Sequence, residues 1–420
     1  MEKKVLSWAL ILLYPIAFTI PAFDNVLDYN SWHTFLFSIL NVVGFSYYIS
    51  NKETSSILND IIKSKVSVVS IFFIIWAIGS YFYSLLPTEV LVKLLLFVNF
   101  YFTILNLYTA LKVVKISPIH IAIIITSVLA IQLFFSYQSY FRILEYKAYT
   151  FEENFLLRGL FANRNVTSAI YLIQLPFVIY MILKVKSILI RNIGYLILFG
   201  DFYMIFLLSS RTAYVIILTL LLFLFFMYIV RKIYKKSLLK NFFGLYTGFL
   251  LLSLLLVNIS LGFNNSANPV ERIQSIDISE TSTNTRFRYY SYAIEQFIQN
   301  PFIGVGYGNW KIVSIDKDKE YIESYIVPYT MHNDFLEVLV ELGIIGLILY
   351  TLIFIFTFGY IKKPLLEGSK TFPIILTATL IIYLIDSNIN FPAIRIVNLY
   401  YLAFLISIVT YLYIKPDEAS

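Results

Sequence analysis

Twelve apolar runs, each about long enough to cross a lipid bilayer as a helix, divide this chain and leave few folds open to it. They fall near residues 5–23, 33–50, 66–86, 89–111, 118–136, 165–184, 193–208, 212–230, 242–261, 335–361, 371–390 and 396–414. A helix needs about 20 apolar residues to cross the hydrocarbon core. The runs are continuous, which excludes the two-residue alternation of a membrane β-barrel. Hydrophobic residues make up 59% of the 420 and charged residues only 14%. The mean hydropathy of +0.78 exceeds that of a soluble chain. The expected class is an all-α polytopic membrane protein with about 12 transmembrane helices. The first run follows the short basic start Met1–Lys4 and shows no small-x-small cleavage pattern, so it reads as a span and not a signal peptide. No cysteine is present, which excludes disulfides, thiolate catalysis and zinc–thiolate sites.

The loops between the runs set an orientation. With the N-terminus inside, 17 of the 22 lysines fall in cytoplasmic segments, among them Lys3, Lys52, Lys63, Lys112, Lys184, Lys235, Lys236, Lys362, Lys370 and Lys415. The short loops then obey the positive-inside rule, with both termini cytoplasmic. The net charge of +7 follows this loop pattern and is no sign of nucleic-acid binding. Eight of the ten arginines fall outside: Arg142, Arg158, Arg164, Arg211, Arg272, Arg286, Arg288 and Arg395. Lysine suffices to orient a loop, whereas the planar arginine fork grips phosphate bidentately. Pairing with outer acids such as Glu152, Glu153, Asp277 and Glu280 would account for any one of them. Eight together point to an extracytoplasmic anion site.

The organisation is five N-terminal spans over 1–136, an outer loop at 137–164, four spans over 165–261, a large extracytoplasmic loop at 262–331 and three spans over 332–420. No internal repeat is visible, which weakens a transporter reading. Ionisable residues within spans are also few. Asp201 is the clearest, and Lys93 sits near an outer end.

The polar stretches cluster on the outer side. In Gly159–Pro176 the turn Asn163-Arg164-Asn165 leads into a span, with Asn165 or Thr167 as the expected helix cap. In Ser209–Tyr214 a lone Arg211 sits in a short turn. Thr285-Arg286 is expected to open an amphipathic helix running to Gln299, with Tyr290, Ala293, Ile294 and Phe297 as its apolar face. Asn300-Pro301 ends it, and Gly304, Gly306 and Gly308 follow in a loop whose backbone could approach a ligand closely. Asp316 and Asp318 form a DxD pattern in a lysine-rich loop and read as solvated, with no metal assigned. His332 opens the next helix beside Asn333, Asp334 and Glu337. The positive helix end disfavours imidazolium, which leaves a neutral histidine able to accept a proton. Asp386–Arg395 adds one more acid and one more arginine.

The set GLFANRN, SSRTAY, TRFRYY…NPFIGVGYG…MHNDFLEVLVELGIIGL and NFPAIR, over residues 159–395, resembles the O-antigen ligase and polymerase superfamily. These are GT-C-like membrane glycosyltransferases using undecaprenyl-diphosphate-linked glycans. The family pattern of an arginine, an aromatic four residues on and a proline fifteen on matches Arg286, Tyr290 and Pro301. Arg211 matches the arginine of the family's Ser-Arg turn, and His332 matches its histidine. Where the family often has Asn-Pro-Asn, this chain has Asn163-Arg164-Asn165. The resemblance implies an inverting enzyme of the bacterial inner membrane, without metal, cofactor or nucleotide sugar, whose partners are a lipid-linked glycan donor, a glycan or glycolipid acceptor and the bilayer. Arg211 and Arg286, with Arg164, Arg288 or Arg395, would hold the diphosphate, and His332 would act as base. Asn163, Asn165, Asn333, Asp334 and Glu337 would support them. The acceptor is lipid A–core for a ligase or another lipid-linked repeat for a polymerase. A non-enzymatic flippase of the same glycan is the competing class, and it would not need His332.

Overall fold

The computed structural model describes residues 2–20, 29–161, 163–233, 238–262, 265–274, 281–322, 329–367 and 371–413. Among them are sixteen α-helices and no strand. They are α1 (Glu2–Ala17), α2 (Tyr29–Ser50), α3 (Lys52–Ile62), α4 (Lys65–Gly79), α5 (Pro87–Val114), α6 (Pro118–Tyr146), α7 (Arg164–Lys184) and α8 (Ile188–Leu208). They continue with α9 (Arg211–Ile233), α10 (Leu238–Leu261), α11 (Pro269–Gln274), α12 (Thr281–Gln299), α13 (Trp310–Asp318), α14 (Asp334–Glu367), α15 (Phe372–Ile389) and α16 (Ile396–Tyr413). Of the basic and acidic loop residues named above, Lys235, Lys236, Lys370, Lys415, Asp277 and Glu280 lie outside the described residues.

Each of the twelve apolar runs holds one α-helix among the described residues, and in the first run that helix ends at Ala17. Ten helices among the described residues are long and apolar enough to cross a membrane. The two that fall short are the first two. α1 has 16 residues and starts with Glu2, Lys3 and Lys4. α2 carries Asn30, His33, Thr34, Ser38 and Asn41, which lower its hydropathy.

Lipid offers no hydrophobic drive for helices to associate, so polar contacts between them matter more. The Tyr14 hydroxyl donates to Asn41 Oδ1 at 2.7 Å, Asn41 Nδ2 to Asn99 Oδ1 at 2.9 Å and Asn106 Nδ2 to the Tyr14 hydroxyl at 3.1 Å, joining α1, α2 and α5. Gln174 and Gln132 join α7 to α6 at 2.7 Å. α7 is buried on all sides from Val166 to Ile182 and forms the axis of the second half, with α6, α8, α9, α10 and α15 around it. Asp201 is fully buried in α8, and neither carboxylate oxygen finds a hydrogen bond among the described residues.

α14 is two helices in series. Gly343 breaks it at φ 66°, ψ −169°. A Cβ there would meet the Phe302 carbonyl oxygen at 2.2 Å, so only glycine lets the loop after α12 press its backbone on this helix. The amide of Val305 bonds the carbonyl of Val340 at 3.0 Å, Gly306 bonds Glu341 at 2.8 Å and Ile344 bonds Pro301 at 2.9 Å. A Cβ at Gly304 would meet α14, one at Gly306 would meet Ser84 and one at Gly308 the Glu89 carbonyl, so the glycines let the protein's own backbone approach closely.

Candidate active site

Four polar segments meet at one end of the bundle: the α8–α9 turn, the start of α7, helix α12 with the segment before α14, and the α15–α16 loop. Each is positioned by local chemistry. Ser209 closes α8 in the left-handed region at φ 48°. Its hydroxyl bonds the Ala267 carbonyl at 3.0 Å, so Arg211 enters α9 from a fixed turn. Asn163, and not Asn165 or Thr167, caps α7: its Oδ1 accepts from the amides of Asn165 and Val166, both at 3.0 Å. Thr167 instead donates to the Arg158 carbonyl at 2.6 Å.

α12 starts a turn earlier than expected, at Thr281, and ends at Gln299 as expected. Its buried side is Tyr289 and Ala293, packed on Trp310, Val313, Met331 and Val340, whereas Ile294 is 55% exposed. Arg286 and Arg288 stand two apart, about 200° around the helix, and so meet different surroundings. The Arg288 fork closes on Asp318, Nε–Oδ1 2.6 Å and Nη2–Oδ2 3.1 Å, and lies 4.1 Å over the Tyr321 ring. That hydrogen bond holds its proton more firmly. Asp318, expected to be solvated, is buried by this pairing, while Asp316 remains exposed.

Arg286 has no hydrogen bond or ion pair among the described residues. Burial lowers its pKa, Tyr290 opposes this, and the neighbouring Arg211 cation lowers it further. Next to it stands His332. Met331, buried in the small core beneath α12, anchors this residue from one side and Asn333, the cap of α14, from the other. Asn333 Oδ1 accepts the Leu336 amide at 3.1 Å and its carbonyl accepts the Glu337 amide at 2.9 Å. Between them His332 takes φ 58°, a left-handed conformation that costs an L-residue about 1–2 kcal/mol. Burial first, and the Arg286 cation second, push its imidazole down to about 4. Its Nδ1 is buried without a hydrogen bond among the described residues.

The α15–α16 loop completes the group. The Phe391 ring lies 5.0 Å from the His332 ring and 5.0 Å from the Arg395 guanidinium. Asp334 Oδ2 accepts the Ala393 amide at 3.1 Å and so ties this loop to the start of α14. Asn165, Asp386, Asn390, Phe391 and Arg395 line a small cleft that connects α7 to it. Asp386 is buried there, bonded by Asn390 at 2.6 Å and Asn398 at 3.3 Å. Arg164 sits apart, bonded to Asn154 at 2.5 Å and held between Phe151 and Phe155 at 4.5 and 4.3 Å. A cation in a helix's first turn opposes the macrodipole, and the two rings offset this.

The structure thus brings Arg211, Arg286 and His332 together, joins Arg395 to them through Phe391, and gives Arg164 and Arg288 partners of their own. Sequence reading missed the floor beneath. Lys93 on α5 lies 2.5 Å from Glu337 and 2.7 Å from Glu341, all three buried. Glu337 also accepts the Met331 amide at 3.2 Å, and Glu341 the Trp310 amide at 3.1 Å. The signal was present: two acids one helical turn apart in an apolar run need a cation within the membrane.

No curated protein matches the sequence. A family model described as O-antigen ligase matches residues 193–351, which include Arg211, Arg286, Arg288, His332, Asn333, Asp334 and Glu337 but not Arg164 or Arg395. Over this stretch, with the cluster's two unlike partners Arg211 and His332 near its ends, the chain is similar to the O-antigen ligase superfamily.

Proposed function

We propose that this protein moves a glycan from an undecaprenyl-diphosphate carrier to an acceptor hydroxyl on the extracytoplasmic face of the bacterial cytoplasmic membrane. The family supports ligase- or polymerase-like action on glycans in a membrane. The observation that carries the finer reading is Arg286, a half-buried cation with no ion pair among the described residues, next to Arg211 and His332. Like charges held together are unfavourable until an anion joins them. A diphosphate matches two guanidinium forks.

In the reaction the acceptor oxygen attacks the anomeric carbon opposite the diphosphate, so the centre inverts. The bond from that carbon to the diphosphate oxygen breaks, and its electron pair leaves with the polyprenyl diphosphate. Arg211 and Arg286 stabilise the charge that grows there. The hydroxyl proton passes to His332, whose imidazole is neutral at ordinary pH because its pKa lies near 4. The two guanidiniums carry the charge that a metal would otherwise carry, so this reading has no metal step. We assign Arg395 to the rim of the diphosphate site and give Arg164 and Arg288 the task of anchoring the outer segments. The acceptor is lipid A–core in a ligase, with a lipid-linked repeat as the alternative in a polymerase.

The test is transfer from an undecaprenyl-diphosphate glycan by Arg286→Lys and Arg288→Lys. A point charge cannot reproduce the fork, so Arg286→Lys should lose at least about tenfold while inserting normally, and Arg288→Lys should lose stability more than turnover. Wild-type turnover in Arg286→Lys overturns the diphosphate assignment.

A further inference from the structure

A second cleft opens beside the segment that carries His332. Glu89 and Lys93 of α5, Lys311, Tyr329, Glu337 and Ile394 line it, and its volume of about 410 Å³ is that of a small-ligand site. Its charges are already paired. Lys93 holds Glu337 and Glu341, and Lys311 holds Glu89. Three carboxylates face two ammoniums, so the walls carry no positive excess. This is the opposite of the Arg211–Arg286 side, and an anion gains little here.

Such walls suit a neutral polyhydroxyl ligand. Carboxylates accept from hydroxyls and ammoniums donate to them. The Tyr329 side chain, 60% exposed, offers a ring face beside them. The position is equally specific. Tyr329 and Thr330, which line the cleft, run directly into Met331 and His332. Ile394, also in its wall, is three residues beyond the Phe391 ring that packs on His332. His332 thus follows the cleft's wall by two residues in the chain, while its ring neighbours Arg286.

We propose that this cleft holds a neutral sugar of the acceptor and presents its hydroxyl to His332, which makes it the determinant of acceptor choice. This rests on the glycosyl-transfer reading above, with the donor diphosphate at Arg211 and Arg286. It adds a separate site of different chemistry.

The absence of cysteine makes the test clean. Thr330→Cys, which keeps the Tyr329 ring, introduces a single thiol into the full chain, and its maleimide alkylation is followed in nanodiscs. The probes are free oligosaccharides released by mild acid from the host's envelope glycolipids, and inorganic pyrophosphate. The oligosaccharides should slow alkylation at least fivefold, and pyrophosphate at the same concentration should not. Equal slowing by pyrophosphate, or none by oligosaccharide, overturns the assignment. In parallel, the double variant Glu89→Gln/Lys311→Met should raise KM for the acceptor about tenfold and leave KM for the lipid donor unchanged. A shift in donor KM alone also overturns it. The two readings fail separately: wild-type transfer in Arg286→Lys sinks the diphosphate assignment whatever the alkylation shows, and unprotected Thr330→Cys sinks the cleft even when Arg286→Lys is inactive.

Discussion

Replacing Lys93 with methionine tests how the site is held. The change keeps the length and apolar stem of the side chain but removes the one cation shared by Glu337 and Glu341. The carboxylates then keep backbone donors, the amide of Met331 for Glu337 and that of Trp310 for Glu341. Removing one partner of a buried ion pair typically costs about 3–5 kcal/mol, because it leaves an uncompensated charge. That is a large share of the roughly 5–15 kcal/mol that holds a protein folded. Activity should fall as well. Glu337 holds the residue before His332, and a shift of about 1 Å in a reacting group can cost about 10²-fold in rate. Thermal unfolding of purified Lys93→Met should therefore start at least about 5 °C below wild type. Lys93→Arg, which keeps the charge, should recover part of the loss. The triple variant Lys93→Met/Glu337→Gln/Glu341→Gln, with no buried charge left, should recover more stability than Lys93→Met alone. A Lys93→Met protein that melts with wild type and transfers at its rate refutes the claim that this node positions the histidine.

Two further outcomes follow from local geometry. His332 has a folded pKa of about 4, below the ordinary 6.5 of an unfolded histidine. The stability it contributes is present above about pH 6.5 and falls as pH drops toward 4, because the unfolded chain takes the proton first. The acid limb of kcat/KM, which reports free enzyme, should lie near pH 4. The limb of kcat should lie higher, since bound diphosphate offsets the Arg286 cation. A kcat/KM limb at 6.5 contradicts the burial of the ring. Gly343→Ala should destabilise by about 1–3 kcal/mol or more, because its φ of 66° is left-handed and the new Cβ meets the Phe302 carbonyl. An unchanged melting curve would show that the loop does not press on α14.

Most of the fold was legible because apolar length is a coarse signal. Runs such as 89–111 and 165–184 became α5 and α7 with nearly the expected ends. Arg211 and His332 stood out by being a lone arginine in a tight turn and a rare histidine at a helix start. The division between Arg286 and Arg288 was implicit in their spacing, but its meaning needed Asp318, thirty residues on, to fold back on one of them. What the glycines pack against was not legible, for a physical reason. A sequence shows where a Cβ is missing, not what takes its place, and here it is the backbone of α14. Lys93 was visible as a charge in a span, yet its partners lie more than 240 positions away, beyond what periodicity can connect.

The central claim is that His332 accepts the acceptor's proton beside a diphosphate held by Arg211 and Arg286. Single-turnover transfer by purified His332→Ala, from a defined undecaprenyl-diphosphate glycan, tests it most directly. The account predicts a loss of about 10²–10⁴-fold at normal membrane abundance, with His33→Ala and His120→Ala near the wild-type rate. Transfer by His332→Ala at the wild-type rate would contradict it.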